Sequence, residues 1–323
     1  MTSTSSLEAA LAKFGHSSFR EGQRAPIEAV LGGDDAVVVM PTGSGKSLCY
    51  QVAALALPGT TLVISPLIAL MHDQVEALAR KGIPATLVNS TVGKNEMSTR
   101  LTAMERGEYK LVYVAPERFR SVAFREALAR TELSMVAVDE AHCISQWGHD
   151  FRPDYLDVGC LVNSLRGVRV MALTATATPS VREDIVRQLH LGEGLRRLPF
   201  VEVLGFSRPN LRIAVMPCSR RELKLARVLD QIRRLRNGIV YVSTRKHALE
   251  VFERLRRAVP ASTGIQVLLY HGAMGDGQRA LVQREFMEAA HPVVVATTAF
   301  GMGIDRADIR FVVHWDIPGG IEQ

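Results

Sequence analysis

The chain has 323 residues, of which 47% are hydrophobic and 22% are charged. This length exceeds what one hydrophobic core usually supports, so we expect two domains. The ordinary apolar share, without a run of about 18 apolar residues, predicts a soluble globular protein that does not span a membrane. The net charge of +6 permits a polyanionic partner but does not identify one.

Residues 1–13 lack the basic start, apolar middle and small-residue cleavage site of a secretory signal. The cysteines lie far apart and form no Cys-x-x-Cys pair, which argues against a zinc site or a disulfide scaffold. They are Cys49, Cys143, Cys160 and Cys218. We therefore expect a cytoplasmic protein in a reducing compartment.

Short apolar, β-branched segments recur along the chain, each followed by a turn and a stretch of helical periodicity. A first series lies at 36–40, 61–64, 111–115, 135–138 and 170–173, and a second at 238–242, 266–270, 293–296 and 311–314. This alternation predicts an α/β fold in which a mostly parallel sheet flanked by helices is built twice. Prolines and the loss of periodicity between 198 and 210 indicate a linker, so we set the domains at 1–199 and 200–323.

The segment 40–47 (MPTGSGKS) follows a run of valines and precedes a helical stretch, which is the setting of a phosphate-binding loop. Glycines let backbone N–H groups approach phosphate oxygens, and a helix N-terminus adds positive potential. Lys46 would reach the terminal phosphates of ATP, and the Ser47 hydroxyl would ligate Mg²⁺. The strict pattern has glycine in place of Met40, but the shorter Thr-Gly-x-Gly-Lys-Ser form is intact. The residues predicted to bind the nucleotide are Thr42, Gly43, Ser44, Gly45, Lys46 and Ser47.

The segment 135–138 has the composition of a buried strand and ends in Asp139-Glu140-Ala141-His142. An aspartate at a strand end can hold the water shell of magnesium, and the next carboxylate can orient and deprotonate an attacking water. Carboxylates at a strand end are also common for structural reasons alone. The phosphate loop upstream favours an ATP-hydrolysing site, so the candidate catalytic residues are Lys46, Asp139, Glu140 and His142, with Ser47 and Asp139 as magnesium ligands.

With these motifs, the segments 14–23 (FGHSSFREGQ) and 143–155 (CISQWGHDFRPDY) resemble the RecQ DNA helicases of superfamily two. The resemblance covers nearly the whole chain and implies two tandem RecA-like domains, the second incomplete at its C-terminus. It also implies that His16 stacks on adenine while Arg20 and Gln23 contact it. An amide can pair with adenine N6 and N7 together, a geometry that guanine does not satisfy.

The segment 143–155 resembles the aromatic-rich loop of RecQ proteins, which senses single-stranded DNA and couples it to ATP hydrolysis. Trp147 and Phe151 offer ring faces on which unpaired bases can stack, and Arg152 can meet a phosphate or a base. Isolated aromatic residues usually pack in a core. The polar residues, glycine and proline around these two indicate a loop instead.

Other segments resemble the remaining motifs of the family. Those at 65–74 and 115–118 follow strands and would grip one nucleic-acid strand by its phosphates, and Thr174-Ala175-Thr176 would link the nucleotide site to the DNA path. In the second domain the matching segments are 241–245, 270–272 and 296–305. By this resemblance Gly303 and Asp305 face ATP, and Thr297 lies nearer the DNA.

The resemblance implies an ATP-dependent DNA helicase core that uses Mg²⁺, moves 3′ to 5′ on single-stranded DNA and unwinds duplex DNA in recombination and repair. Family members continue past 321–323 into a segment with two arginines that face the phosphates. The alternative is therefore a nucleotide-responsive DNA-binding fragment with little ATPase activity. The aromatic loop argues against an RNA-remodelling ATPase. We expect a monomer, associated with the nucleoid, whose partner is single-stranded and partly duplex DNA.

Overall fold

The computed structural model describes residues 4–147, 151–165, 167–193, 197–205, 210–218, 220–301, 304 and 306–317. The chain divides into two compact units, Met1–Pro209 and Asn210–Gln323. Each unit has its own sheet and its own hydrophobic core. In the part of the chain so described, the helices are all too short or too polar to cross a bilayer.

The first unit has a parallel sheet of seven strands, which in chain order are β1 (Ala36–Val39), β2 (Thr60–Ile64), β3 (Ala85–Val88), β4 (Leu111–Val114), β5 (Leu133–Val138), β6 (Arg169–Thr174) and β7 (Phe200–Val203). Its helices are α1 (Thr4–Lys13), α2 (Arg24–Leu31), α3 (Lys46–Ala56), α4 (Ile68–Ala79), α5 (Lys94–Glu105), α6 (Val122–Arg130), α7 (Leu156–Ser164) and α8 (Pro179–Gln188). Short 3-10 turns lie at Pro116–Arg120, Ala141–Ile144 and Pro153–Tyr155.

The strands of this sheet lie in the spatial order β3-β4-β2-β5-β6-β1-β7. The central strands are buried on both faces, which explains why they are nearly continuous runs of valine, leucine and isoleucine. Side chains alternate between two cores, because Val37 and Val39 pack on one face while Ala36 and Val38 pack on the other. Helices cover both faces, as the predicted α/β architecture requires.

The second unit has a four-stranded parallel sheet in the order β11-β8-β10-β9. Its strands are β8 (Gly238–Tyr241), β9 (Gln266–Tyr270), β10 (Pro292–Ala296) and β11 (Phe311–His314). Its helices are α9 (Arg221–Leu235), α10 (Arg245–Ala258) and α11 (Asp276–Glu288), and a 3-10 turn lies at Ala261–Thr263. All four strands coincide with the second predicted series to within one residue.

The boundary between the units lies at Pro209 and Asn210, not at the predicted 199 and 200. The boundary lies later than predicted because β7 pairs in parallel with β1 and so belongs to the first sheet. Phe200 and Leu204 also pack against the first core. The residues that the sequence indicated as a linker therefore begin with the edge strand of the first unit.

Candidate functional site

The candidate site of the first unit lies at the carboxyl ends of three neighbouring strands. In the sheet, β6 lies between β1 and β5. The phosphate loop 40–47 follows β1, Thr174 ends β6, and Asp139 follows β5. In a parallel sheet these ends share one edge, which is where ligands of open α/β sheets bind. The topology thus brings the two predicted motifs to the same edge.

The phosphate loop has the backbone conformation that its glycines permit. Gly43 and Gly45 have φ values of +81° and +88°, in the left-handed region that side chains rarely adopt. Helix α3 begins at Lys46, and no side chain caps its N-terminus. Uncapped N–H groups and the helix dipole make this terminus suited to a phosphate. The Lys46 ammonium donates to the Met40 carbonyl oxygen at 3.1 Å, which folds it back along the loop.

Two of the three residues predicted to contact adenine hydrogen-bond to the phosphate loop, and their contact with adenine stays a prediction. The Gln23 side chain is 1% exposed, and its amide nitrogen donates to the carbonyl oxygens of Ser44 at 3.0 Å and Gly45 at 3.2 Å. Arg20 donates to the Gly43 carbonyl oxygen at 3.0 Å, and its backbone N–H donates to Gln23 Oε1 at 2.8 Å. The segment 14–23 therefore supports the loop directly. His16 is exposed, and its stacking role stays a prediction.

The carboxylates after β5 lie in a constrained turn. Asp139 is buried, and its Oδ1 accepts the Glu140 N–H at 3.0 Å. Glu140 has a φ of +48°, which costs backbone energy and marks a functional constraint. Burial raises the pKa of Asp139 to about 7, with Glu140 adding to the rise, while Lys46 and His142 oppose it. A buried carboxylate near a lysine fits a divalent cation, since Mg²⁺ prefers oxygen ligands and would stabilise the ionised form.

Thr174 connects the phosphate loop to the carboxylate turn. Its backbone carbonyl oxygen accepts the Met40 N–H at 3.1 Å, and its hydroxyl is 2.8 Å from His142 Nδ1. The same hydroxyl is 3.2 Å from the Thr176 carbonyl oxygen. His142 Nδ1 is also 3.3 Å from Glu140 Oε2. Thr174, in the segment 174–176 that is predicted to link the nucleotide site to the DNA path, thus contacts both the phosphate loop and the carboxylate turn.

Two buried tyrosines support the site and were missed at the sequence level. The Tyr155 hydroxyl donates to the Asp139 carbonyl oxygen at 3.1 Å, and Tyr50 forms a hydrogen bond with the Ser47 hydroxyl. Burial raises the pKa values of both phenols well above the ordinary value, so both stay neutral. Tyr50 lies three residues after Ser47 on α3, and this helical spacing was the signal available in the sequence.

The aromatic loop presents its tryptophan to solvent. Trp147 is 75% exposed, although large aromatic side chains usually pack in a core. Phe151 and Arg152 are half-buried, and Arg152 donates to the Cys143 carbonyl oxygen through its backbone at 2.9 Å and to the Pro66 carbonyl oxygen through its side chain at 3.4 Å. The loop prediction is confirmed for Trp147, while 148–150 lie outside the described residues.

The far end of this loop is also anchored. Arg120, at the end of the turn Pro116–Arg120, contacts the Asp154 carboxylate at 2.6 Å and Asp157 at 3.8 Å. This turn contains part of the predicted strand-gripping segment 115–118. The Pro66 carbonyl oxygen that Arg152 contacts belongs to the other such segment, 65–74. The two predicted nucleic-acid segments therefore flank the aromatic loop in the first unit.

The motifs of the second unit lie at the carboxyl edge of its own sheet. The segments 241–245, 270–272 and 296–301 follow β8, β9 and β10. Thr297 is half-buried, and its N–H donates to the Tyr270 carbonyl oxygen at 3.3 Å. The Tyr241 hydroxyl donates to the Phe300 carbonyl oxygen at 2.7 Å, which the sequence did not indicate. Gly303 and Asp305, predicted to face ATP, lie outside the described residues.

Comparison with known proteins identifies the family of the chain. The family described as "DEAD/DEAH box helicase" matches residues 20–185, and "Helicase conserved C-terminal domain" matches residues 222–323. The first match contains the phosphate loop, the carboxylate turn, the aromatic loop and Thr174. The second contains every strand of the smaller sheet.

Named relatives share this sequence at moderate identity. The "ATP-dependent DNA helicase RecQ" of Bacillus subtilis is 45% identical over 315 residues, which is 96% of this chain and 51% of that protein. The "ATP-dependent DNA helicase RecQ" of Pasteurella multocida is 44% identical over 97% of this chain and 48% of its own length. The chain thus spans about half the length of the curated relatives that it matches.

Solved structures share the fold. Dbp5 of S. cerevisiae, bound to RNA and ADP BeF3, has a TM-score of 0.71 at 17% identity and covers 97% of this chain and 78% of its own. The helicase Lhr of Mycobacterium smegmatis, bound to single-stranded DNA and AMP-PNP, has a TM-score of 0.69 at 21% identity over 96% of this chain and 43% of its own. These likenesses show the fold, two tandem RecA-like domains. The family match shows that the chain belongs to the DEAD/DEAH box helicases, and the relatives show that it is similar to RecQ helicases.

Proposed function

We propose that this chain is the motor core of an ATP-dependent DNA helicase. The observation that carries the proposal is the position of Thr174, which bonds to the phosphate loop through Met40 and to the carboxylate turn through His142. A residue that contacts both motifs can transmit the state of the nucleotide to the turn that leads into the aromatic loop. Such a connection is what a motor needs and a passive nucleotide binder does not.

The residues of the first unit suit ATP and Mg²⁺. The N–H groups of the loop and the Lys46 ammonium would hold the phosphates, with Lys46 leaving the Met40 carbonyl oxygen for the nucleotide. Ser47 and Asp139 would supply oxygen ligands for Mg²⁺, which would neutralise charge on the phosphates. Glu140 would orient and deprotonate the attacking water, with His142 holding its carboxylate from one side.

The substrate that the site favours is single-stranded DNA next to a duplex. Trp147 offers an exposed ring for base stacking, and Arg152 adds a positive charge further along the same loop. The relatives are named as DNA helicases. From the similarity to these relatives, we also propose that the chain moves 3′ to 5′ on DNA and acts in recombination and repair.

The test is steady-state ATP hydrolysis with no nucleic acid, with single-stranded DNA and with RNA of the same sequence. We expect turnover that requires Mg²⁺ and rises with DNA more than with RNA. Equal stimulation by RNA would overturn the choice of DNA. DNA binding without turnover would support the alternative, a nucleotide-responsive DNA-binding fragment.

Two variants separate the nucleotide and DNA roles. Lys46→Ala removes the charge that meets the phosphates and should lower turnover by about 10²–10³. Trp147→Ala should leave ATP affinity unchanged but lower DNA stimulation about tenfold, since stacking contributes roughly 1–3 kcal/mol for each base. Val122→Ala, which truncates another exposed apolar side chain of the first unit, is the matched control and should change neither quantity.

A further inference from the structure

A buried carboxylate lies beneath the aromatic loop. Asp184 is on α8, where its neighbours Val181 and Ile185 are buried, and it is only 2% exposed. Carboxylates rarely occupy a buried face of a helix, because a charge without partners there is costly. The position of Asp184 therefore needs an explanation in the contacts that it makes.

One of those contacts is with the start of the aromatic loop. Burial raises the pKa of Asp184, and the fully buried Ser145 hydroxyl next to its carboxylate helps to lower that pKa as a hydrogen-bond partner. The same hydroxyl accepts the Trp147 N–H at 3.2 Å. Arg187 and Gln188, one turn further along α8, donate to Oδ1 of the same carboxylate. A chain of two hydrogen bonds thus runs from Asp184 to the backbone of the exposed tryptophan.

The other end of this chain leads to the nucleotide side of the site. Helix α8 begins five residues after Thr174, and the turn Ala141–Ile144 packs against it. The segment between Asp139 and Trp147 therefore makes two contacts with β6 and α8. His142 contacts Thr174 at the end of β6, and Ser145 contacts Asp184 on α8. Two contacts on one rigid support fix a segment, whereas a single contact allows it to pivot.

We propose that Asp184 is a positioning residue of the motor, which holds Ser145 and through it the backbone of Trp147, so that DNA contact at the tryptophan reaches the turn of Asp139 and Glu140. This inference rests on the proposed function, because it concerns how DNA accelerates ATP turnover. Asp184 contacts neither reacting group, so DNA-free hydrolysis does not depend on it.

Three variants test the role. Asp184→Asn keeps the shape of the side chain and removes its charge, and Ser145→Ala removes the hydroxyl that joins the carboxylate to the loop. Arg187→Met is the matched control, because it removes another partner of the same carboxylate that belongs to α8 and not to the loop. We expect the first two variants to lower the ratio of DNA-stimulated to DNA-free turnover about tenfold, as the loss of a hydrogen bond to a charged group allows. The KM for ATP and the DNA-free rate should not change.

The double variant and the fluorescence of Trp147 distinguish positioning from simple destabilisation. If both residues act through one path, Asp184→Asn with Ser145→Ala should be no worse than either single variant. The chain has two tryptophans, so a Trp315→Phe background leaves Trp147 as the only reporter. In that background, Asp184→Asn and Ser145→Ala should lower the anisotropy of Trp147 and weaken its quenching by single-stranded DNA, while Arg187→Met should not.

The outcomes separate this inference from the proposed function. A parent chain that single-stranded DNA neither binds nor stimulates would overturn the proposed function, and the inference with it. A stimulated parent whose Asp184→Asn and Ser145→Ala variants keep both the stimulation ratio and the Trp147 anisotropy would overturn the inference alone. Variants that only melt at a lower temperature, with the stimulation ratio unchanged, would also overturn it.

Discussion

Gly45 is the residue of the phosphate loop with the least room for change. Its φ of +88° is left-handed, and a Cβ at this position would overlap the side-chain nitrogen of Gln23, which bonds to the carbonyl oxygens of Ser44 and Gly45. We expect Gly45→Ala to lower the free energy of unfolding by about 2–3 kcal/mol, from the left-handed alanine and the displaced Gln23 together. Urea unfolding of the first unit, followed by Trp147 fluorescence, measures this loss.

Gly43 provides the control for that prediction. Its φ is +81°, but a Cβ there would meet nothing within 4 Å. Gly43→Ala should therefore lower the free energy of unfolding by only the backbone contribution, about 1–2 kcal/mol. Equal losses for the two variants would mean that Gln23 moves aside freely and does not brace the loop.

In the second unit, the ionisation of Asp316 depends strongly on its partners. Burial raises its pKa, but hydrogen bonds to its Oδ2 from His247 Nδ1 at 3.0 Å and from the Ser243 N–H and hydroxyl at 3.0 and 2.7 Å outweigh this and lower the pKa to about 2. A pKa lowered in the folded state gives stability that is present above the ordinary value of 3.8 and lost as the pH falls towards 2.

The prediction is that Asp316→Asn destabilises the second unit by about 1 kcal/mol at pH 6, after allowance for solvent screening, and by progressively less below pH 4. Urea unfolding at pH 6, 4 and 3, followed by the emission of the neighbouring Trp315, checks this. If the difference in unfolding free energy between the parent chain and Asp316→Asn stayed constant over that pH range, the charge of the Asp316 carboxylate would contribute nothing to stability.

The strands illustrate what the sequence could and could not predict at the scale of elements. Those at the centre of each sheet are buried on both faces and form unbroken β-branched runs, so they were predicted within a residue or two. The edge strands β3 and β7 were missed. β7 follows Pro199 with alternate residues exposed, so it lacks the composition of a buried strand, whereas β3 is buried but contains only two large apolar residues, Leu87 and Val88.

The candidate site likewise contains parts that the sequence predicts and parts that it does not. Backbone motifs such as the phosphate loop are local in sequence and were predicted correctly. Contacts that join distant segments, such as Ser145 with Asp184 or Tyr155 with Asp139, depend on which elements pack together. The sequence contained one indication, because Asp184 falls in the apolar spacing of Val181 and Ile185 where a carboxylate is out of place.

The connection from β6 to the carboxylate turn can be tested through Thr174→Val. This change keeps the size of a fully buried side chain and removes the hydroxyl that His142 Nδ1 contacts at 2.8 Å. One hydrogen bond contributes about 0.5–1.5 kcal/mol, so we expect ATP turnover to fall by up to about tenfold while ATP affinity is retained. Steady-state hydrolysis and nucleotide-binding titrations measure the two quantities.

Thr131→Val is the matched control for Thr174→Val. The Thr131 hydroxyl is also buried, but it donates to the Ala127 carbonyl oxygen at the end of α6, away from the strand ends that form the site. It should lower stability without lowering turnover. If both variants lower turnover equally, the hydroxyl of Thr174 contributes through stability alone and does not connect the motifs.

At the scale of the whole molecule, the repeated pattern of strands and helices predicted two sheets, and each sheet does have its own core. Val37 and Ile64 belong to the cores of the first unit, whereas Val240 and Phe286 belong to those of the second. The position of the boundary was not predictable from composition, because an edge strand next to a proline resembles a linker until its pairing with β1 is known.

Separate cores predict separate unfolding transitions, and the two tryptophans allow each transition to be followed. Trp147 lies in the first unit and Trp315 in the second. Phe286 is fully buried, with its ring centroid 5.1 Å from that of Phe300, so Phe286→Ala should destabilise the second unit by about 3–5 kcal/mol. In single-tryptophan variants, the urea midpoint reported by Trp315 should fall while that reported by Trp147 stays in place.

Phe124→Ala is the reciprocal variant. Phe124 is fully buried in the first unit, with its ring centroid 5.6 Å from that of Phe119, so its truncation should cost a similar amount. It should shift the Trp147 midpoint and leave the Trp315 midpoint unchanged. If either variant moves both midpoints together, the two units unfold as one cooperative body, because a cavity in one core would then destabilise the other.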